Sequence, residues 1–401
     1  MSNAIRPMSS VPVRLAVSAR AKADPPIIVK PIAGSVTPAD TGEQVGLFTK
    51  LQRGLRWALN GPSDLEFKTR EVVRDPDTRY ADFKEIQAAK AHLEGAVLQE
   101  KASLASLGAR GADYTKLADL CGKDYVARDV LFKMLLDGRL TSQKDLKGQG
   151  DALTYLTRMA TQELPKGMDR GDLITNILEE CDDPTKLCQE GKGTCAATTA
   201  TVVLARKSPA EYMRLVQELA SPAAAATTVN GTKLARNADW ADDNDGGRTP
   251  SMRMLEPSLM DVGNFFLRYD NAQDAHVLAQ QGVWQKIKDG FHNLVANFKI
   301  AGGLEGFGTN KVLEAITGDN YTTIYGVTRL NRPFAWHRIE EKIAQGKSVP
   351  CGLNWEGGGH ELLLDKIEGG YCYFNNPWGE TDRMTVEEFR RNLTNANLPP
   401  G

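Results

Sequence analysis

A glycine-bearing loop runs into a helical pattern in the sequence QEGKGTCAATTATVVLAR, residues 189–206. The loop ends on Cys195, so the thiol is predicted to lie on the first turn of the helix. The N-terminus of a helix carries partial positive charge, which lowers the pKa of a thiol and favours the reactive thiolate. Gln189, six residues earlier, supplies an amide that the loop can fold back beside the sulfur. A nucleophilic thiol also needs a base, which must come from elsewhere in the chain.

The composition is that of a soluble globular protein. The chain has 401 residues, of which 41% are hydrophobic and 25% are charged, and this length suffices for one large or two ordinary domains. The formal net charge of −2 gives no electrostatic reason to expect nucleic acid or an anionic membrane as a partner. No apolar run approaches the ~20 residues that span a bilayer. We therefore expect no nucleic-acid partner and no integral membrane segment.

The cysteines predict neither a disulfide scaffold nor a metal site. The six cysteines are too sparse for a disulfide framework in a chain of this length; they are Cys121, Cys181, Cys188, Cys195, Cys351 and Cys372. The acidic loop 242–247 looks like a calcium loop, but that alignment puts Ala241 at the first ligand position and Met252 where a bidentate glutamate is required. We expect no metal and no cofactor.

The chain divides into three predicted regions. Residues 1–42 are predicted to be a disordered or extended segment, which lacks the apolar core of a secretory signal peptide. The expected location is therefore the cytoplasm or, by a leaderless export route, outside it. Residues 43–180 are predicted to be helical, with patterns at 43–59, 82–107, 126–136, 151–163 and 172–181. This region either packs as a scaffold or acts as a pro-segment or lid over Cys195. Residues 181–401 form the predicted catalytic domain.

Within residues 181–401 the predicted helices come first and the strands last. A capping box at Ser208 predicts a helix over 209–220, and Asn230-Gly231 predicts a β-hairpin over 227–234. Further helices are predicted over 257–267, 276–290, 310–316 and 333–344. Strands are predicted over 348–355, 361–368 and 371–375, with 357–359 as a flexible glycine loop before the second strand, and a last short helix starts at 385.

One histidine has the sequence context of a catalytic base. His360 follows three glycines and precedes a strand, whereas the other four lie in helical patterns; they are His92, His276, His292 and His337. An imidazole base needs a polar group that fixes its orientation. Antiparallel pairing of 361–368 with 371–375 brings Asn376 back beside His360, and Trp378 is placed to cover their hydrogen bond from water.

These residues together resemble the papain-like cysteine peptidases. The motif is Gln189, Gly193-x-Cys195, His360 and Asn376-x-Trp378-Gly379; it covers about residues 185 to 380, and its Asn-Pro-Trp-Gly stretch is calpain-like. The resemblance implies that Cys195 is the nucleophile, His360 the general base and acid, and Asn376 the residue that orients it. It further implies that Gln189 donates to the oxyanion together with the backbone N–H of Cys195.

The resemblance also predicts the fold. It implies an α+β papain-like architecture, in which a helical subdomain carries the nucleophile helix and packs on an antiparallel β subdomain. The helices of 43–180 would be an addition to that core. Ala196 stands where the family usually has tryptophan, and Lys192 where it usually has cysteine. These departures indicate a divergent, bacterial branch of the family.

The expected function is a cysteine peptidase that acts on a protein or peptide substrate. The resemblance implies that Gly246 and Gly247 pair with the substrate backbone, the alternative being a plain loop turn, and Gly359 is the third residue predicted to bind substrate. Two alternatives remain open: a Cys-dependent deamidase or transglutaminase-like acyltransferase effector, and an inactive papain-fold binding protein. The sequence leaves the cleavage preference and the oligomeric state open.

Overall fold

The computed structural model describes most of the chain after residue 68. The described residues are 69–74, 81–241, 247–264, 268–269, 271, 274, 299–300, 304, 306–326, 328, 330–355 and 358–401. All of them belong to one compact unit, residues 46–401. The predictions for residues 1–42, the helices over 43–59 and 276–290, and Gly246 lie outside the described residues.

The N-terminal part of the unit has one short strand followed by helices. The elements are β1 (Glu71–Arg74), α1 (Phe83–Gly95), α2 (Val97–Ser106), α3 (Gly111–Cys121), α4 (Tyr125–Leu136), α5 (Ala152–Thr161) and α6 (Arg170–Asp182). Several of these helices start where an aspartate caps free N–H groups; for example, Asp151 accepts from the N–H of Thr154. The predicted helix 82–107 is instead two helices. They divide at Ala96, directly after Gly95, because glycine is a weak helix former.

The middle of the unit carries the helix that begins at Cys195. The elements are α7 (Cys195–Lys207), α8 (Pro209–Ala220), β2 (Ala225–Thr227), β3 (Lys233–Ala235), α9 (Pro250–Gly263), β4 (Arg268–Tyr269), β5 (Lys299–Ile300) and α10 (Gly306–Thr317). The predicted helix 209–220 and the predicted hairpin are confirmed; its strands are joined by the loop 228–232, in which Gly231 has φ +88°. The predicted start of a helix at Pro257 is wrong. The helix begins at Pro250, because Thr249 caps it by accepting from the N–H of Met252.

The C-terminal part builds most of the sheet. The elements are β6 (Thr322–Tyr325), α11 (Arg332–Ala344), β7 (Val349–Trp355), β8 (Gly358–Glu368), β9 (Tyr371–Asn376), β10 (Glu380–Thr385), α12 (Val386–Asn392) and β11 (Leu393–Leu398). The predicted loop at 357–359 is wrong for two of its glycines: Gly358 and Gly359 pair with Trp355 and Asn354 as part of β8. Sequence patterns did not predict β1, β6, β10 or β11.

The strands form one seven-stranded sheet and two small ones. The order in the large sheet is β1-β10-β9-β8-β7-β11-β6, and every neighbouring pair in it is antiparallel. The predicted α+β class with an antiparallel sheet is therefore confirmed. No helix of the described part of the chain is both long and apolar enough to span a bilayer.

Two hydrophobic clusters lie on opposite faces of this sheet. Side chains alternate between the faces of a strand; on β8, Leu363 belongs to the first cluster, whereas Leu362 and Leu364 belong to the second. The first cluster joins α3–α6 to α7–α10, and the second lies between the sheet and helices α11 and α12. Helices α3–α6 therefore share a core with the helix that carries Cys195.

Candidate active site

Helix α7 meets the sheet at the residue that follows His360. Cys195 is the first residue of α7, and its Sγ accepts the backbone N–H of Glu361 at 3.4 Å. Helix α7 can approach β8 so closely because its first turns carry only small side chains, which are fully buried. This contact joins residues that lie 166 positions apart. It places the thiol next to the strand position that follows the predicted base.

Two backbone contacts fix the loop that leads to Cys195. The N–H of Gln189 donates to the carbonyl of Pro377 at 2.8 Å, so the loop is attached to the turn that follows Asn376. The N–H of Gly193 donates to Asp274 Oδ2 at 2.8 Å, and the hydroxyl of Tyr269 donates to the same oxygen at 2.6 Å. The entry to the helix is thus held from two sides.

A network of buried polar side chains also holds the loop that leads to Cys195. Lys192 Nζ donates to the carbonyl of Asn271 at 2.6 Å, and the amide of Asn271 accepts from Arg248 at 2.5 Å. Arg248 forms a fully buried ion pair of 2.9 Å with Glu256, which also accepts from the hydroxyl of Thr194 at 3.0 Å. Lys192 therefore anchors the loop that precedes Cys195.

His360 and Asn376 come together at one end of the β8–β9 hairpin. The strands pair from Glu368 opposite Tyr371 to Leu363 opposite Asn375, so both side chains project from the same face. His360 Nε2 lies 2.8 Å from Asn376 Oδ1. The predicted contact between the base and its orienting residue is present.

Two tryptophans enclose the imidazole. The ring of Trp378 stacks on His360 with centroids 4.5 Å apart and planes 23° apart. Trp355 lies 4.9 Å from the imidazole at a tilt of 57° and meets Trp378 edge-on at 5.6 Å. Apolar ring faces exclude water from the His360–Asn376 hydrogen bond, which strengthens it.

The partners of Asn376 determine which imidazole nitrogen carries a proton. Asn376 Nδ2 lies 2.9 Å from Asp382 Oδ2 and 3.3 Å from Glu380 Oε2. Ionised carboxylates only accept hydrogen bonds, so the amide nitrogen must face them and the amide oxygen must face His360. Nε2 is then the donor in the His360–Asn376 bond. In the neutral imidazole, Nδ1 is consequently the nitrogen that takes up a proton.

Gln189 lies in the loop with its amide turned toward the neighbouring backbone. The side chain is buried, and its Nε2 donates one hydrogen to the carbonyl of Lys192. Nε2 carries two hydrogens, so a second N–H remains for the predicted oxyanion. The predicted second donor is the backbone N–H of Cys195.

The expectation that helix α7 makes Cys195 a thiolate is wrong for this structure. Burial raises the pKa of the Cys195 thiol to about 12, and the charges of Glu361 and Asp274 add to this. The N–H groups of Glu361 and Ala196 act in the predicted direction and lower the pKa, but they do not offset the loss of hydration. The resting thiol is therefore neutral, and a base has to remove its proton.

This neutral thiol predicts slow alkylation that accelerates with pH. At pH 7 a thiol with a pKa of about 12 is ionised on the order of 10⁻⁵. The rate at which iodoacetamide labels Cys195 should therefore rise steadily through pH 9, as measured by mass spectrometry of the tryptic peptide. Labelling of the buried Cys121, whose pKa is also raised to about 12, is the internal reference. A plateau of Cys195 labelling near pH 7 would show a preformed thiolate and contradict this assignment.

Glu361, the residue after the predicted base, is a buried acid that the sequence analysis did not single out. Glu361 lies on the opposite face of β8 from His360 and is held by the amide groups of Asn395 at 3.5 Å and Asn397 at 3.4 Å. Gly352 makes room for this group, since a Cβ at that position would lie 2.2 Å from Asn395 Oδ1. Complete burial raises the pKa of Glu361 to about 8.

The raised pKa of Glu361 predicts that stability falls as the pH rises from 4.5 to about 8. The folded chain keeps the proton that the unfolded chain releases near the ordinary value of 4.5. The contribution is therefore complete below pH 4.5 and is lost as the pH rises through about 8. We expect the free energy of unfolding of the wild type to fall between pH 5 and 8, and this fall to be about 2–4 kcal/mol smaller in Glu361→Gln. Chemical denaturation at each pH measures both values. Equal pH slopes in both proteins would contradict the assignment.

Of the three glycines predicted to bind substrate, Gly247 and Gly359 belong to the part of the chain that the structure describes. Gly247 and Gly359 are both exposed, and Gly247 has φ +110°. His92 contacts Asp129 at 2.5 Å, and His337 contacts Glu341 at 3.5 Å on the surface of α11. In the described part of the chain, no three His, Cys, Asp or Glu side chains are grouped so that they could hold a metal ion.

No protein-family model and no curated protein matches this chain. What can be said of its chemistry therefore rests on its own residues and their geometry.

Proposed function

We propose that this protein is a cysteine peptidase with a papain-like catalytic core, in which Cys195, His360 and Asn376 form the catalytic triad. One observation carries the proposal. The His360–Asn376 bond of 2.8 Å is enclosed by tryptophans, while the residue next to His360 donates its N–H to Cys195 Sγ. A thiol, an oriented imidazole and a buried amide are the parts that thiol acyl transfer requires.

The first half of the reaction forms a thioester. The Cys195 thiol gives its proton to His360 Nδ1 as Sγ bonds to the substrate carbonyl carbon, and the carbonyl oxygen becomes an oxyanion. The second N–H of Gln189 and the backbone N–H of Cys195 stabilise that oxygen. The C–N bond then breaks, and the departing amine takes the proton from Nδ1.

The second half releases the acid and restores the thiol. Water gives a proton to His360 Nδ1 while its oxygen attacks the thioester carbonyl. The C–S bond breaks, the carboxylic acid leaves, and Cys195 recovers the proton from Nδ1. Because Asn376 fixes Nε2 as a donor, the same nitrogen of His360 serves as base and acid in both halves.

The product formed from substrate separates peptidase activity from the alternatives. The full-length protein is incubated with a library of unmodified peptides, and the products are identified by mass spectrometry. New peptide N-termini that depend on Cys195 support the proposal. Conversion of glutamine to glutamate, or glutamine–lysine crosslinks, would assign the deamidase or acyltransferase alternative. If no peptide changes and an epoxide peptidase inhibitor does not modify Cys195, the remaining alternative is the inactive papain-fold binding protein.

A further inference from the structure

An arginine that directly precedes β1 contacts two acidic side chains of β10, the strand next to β9. Strand β1 pairs with β10 at the edge of the sheet, with Glu71 opposite Arg383. Arg70, directly before β1, thereby lies beside Glu380 and Asp382, more than three hundred residues away in sequence. Residues 69–74 are thus part of the surroundings of His360 and Asn376.

The same two carboxylate oxygens bind both Arg70 and Asn376. Asp382 Oδ2 accepts from Arg70 Nε at 2.9 Å and from Asn376 Nδ2 at 2.9 Å. Glu380 Oε2 accepts from Arg70 Nη2 at 2.6 Å and lies 3.3 Å from Asn376 Nδ2. The two carboxylates therefore lie between the guanidinium of Arg70 and the amide of Asn376. This arrangement uses the two-pronged geometry of arginine, which a lysine ammonium does not reproduce.

Arg70 also opposes the protonation of Glu380. Burial raises the pKa of Glu380 to about 7, the charge of Asp382 adds to the rise, and Arg70 opposes both. Without the guanidinium, like-charge repulsion would favour a proton on one carboxyl group. A protonated carboxyl group can donate to an amide oxygen, so Asn376 would lose the constraint that turns its oxygen toward His360.

The guanidinium lies over the aromatic rings as well. The Cζ of Arg70 is 5.2 Å from the centroid of Trp355 and 6.0 Å from that of Trp378, within the range of cation–π contact. These are the two rings that enclose the imidazole. One side chain therefore contacts both the carboxylates behind Asn376 and the rings around His360.

We infer that Arg70 is a positioning residue of the Cys195 site: it fixes the Asp382 and Glu380 carboxylates, and through them the Asn376 amide, so that His360 presents Nδ1 as the base. The inference rests on the proposed function for its kinetic consequences. Its structural consequence, one fixed tautomer of His360, does not depend on the reaction that the site performs.

The kinetic test compares Arg70→Ala and Arg70→Lys with the wild type. A misoriented imidazole slows the chemical step but leaves substrate contacts in place, so kcat should fall and KM should stay nearly unchanged. We expect a loss in kcat on the order of tenfold to a hundredfold for Arg70→Ala, by analogy with the loss found when the outer-shell partners of metal-bound histidines are removed. Arg70→Lys should be intermediate, because one ammonium keeps the charge but not the two-pronged contact.

Arg383→Ala is the matched control. Arg383 pairs with Glu71 across the same β1–β10 ladder and is one-third exposed, but it contacts neither carboxylate bound to Asn376 in any described hydrogen bond. Its kcat should stay within about twofold of the wild type. An equal loss of kcat in Arg383→Ala and Arg70→Ala would assign the effect to the docking of β1 and overturn the specific role of Arg70.

The second readout is the tautomer of His360, observed by ¹⁵N NMR of the histidine-labelled full-length protein. The signal is assigned from its absence in His360→Gln. The wild type should show the Nε2–H tautomer alone, and Arg70→Ala should show a mixture. An unchanged tautomer in Arg70→Ala overturns the inference, whether or not the protein proves to be a peptidase. If Arg70→Ala does not fold, Arg70→Lys decides: a wild-type kcat and a single tautomer there would also overturn it.

Discussion

Replacing Cys195 with alanine is expected to abolish peptide cleavage, with a loss in turnover on the order of 10⁴-fold or more. Without Sγ there is no atom to form the thioester, and the remaining groups only bind and polarise the substrate. The substitution removes one atom from a side chain that is only 8% exposed, so the fold should persist. The measurement is the initial rate of cleavage of a fluorogenic protein substrate, together with the far-UV circular dichroism spectrum and the melting temperature.

A second buried thiol provides the control for this prediction. Cys121 lies on α3, is 4% exposed, and has its pKa raised to about 12 by burial, as Cys195 does. Cys121→Ala should therefore cost similar stability but leave the cleavage rate unchanged. Full activity in Cys195→Ala would refute the assignment of the nucleophile. A loss of activity in both variants with intact folds would also argue against it, since the effect would not be specific to Cys195.

Deleting residues 1–180 is expected to destroy the fold rather than to raise activity. The deletion removes fully buried side chains of the first hydrophobic cluster, among them Leu153, Leu156 and Ile177. Each such side chain contributes ~1.5–3 kcal/mol on burial, whereas an entire domain is stable by only ~5–15 kcal/mol. Loss of more than a few of them exceeds that margin. It would also expose the faces of α7 and α8 that pack against these helices.

The truncation decides between the scaffold and lid interpretations of the N-terminal helices. The expected result is a fragment without a cooperative melting transition, which binds hydrophobic dye and has no activity. Deletion of residues 1–45 is the control, because it leaves the compact unit 46–401 whole; that protein should melt cooperatively. A truncated fragment that melts cooperatively and cleaves peptide faster than the full chain would instead establish the helices as an inhibitory lid.

Local sequence signals predicted most of the helices and, within the site, the contact between His360 and Asn376. The helices at 209–220 and 386–392 were predictable because Ser208 and Thr385 cap them within three residues. The contact between His360 and Asn376 was predictable for a related reason. A short hairpin joins β8 to β9, and antiparallel pairing returns the chain to the same end of the sheet.

Other strands gave too weak a local signal. Strand β10 has the sequence ETDRMT and β11 has LTNANL, which lack the continuous apolar run by which a buried strand is recognised. In β11, Asn395 and Asn397 face the buried carboxyl of Glu361. The pattern was misleading because both strands bury polar groups: Asp382 of β10 accepts from Asn376, and the asparagines of β11 donate to Glu361. In β10 the acidic residues at alternate positions, Glu380 and Asp382, were the available signal for a shared polar face.

The sequence by itself determined the kinds of groups available to the site and the order in which the chain presents them. A thiol at the start of a helix and an imidazole with an amide across a hairpin are local features, set by caps, turns and strand alternation. The tertiary structure alone decided that Glu361 contacts Cys195 and that Arg70 reaches the carboxylates behind Asn376. It also reversed the expected pKa of Cys195. The helix terminus acts on the thiol through nearby amides, whereas the loss of hydration is imposed by strands and loops from distant parts of the chain, and here that loss is the larger effect.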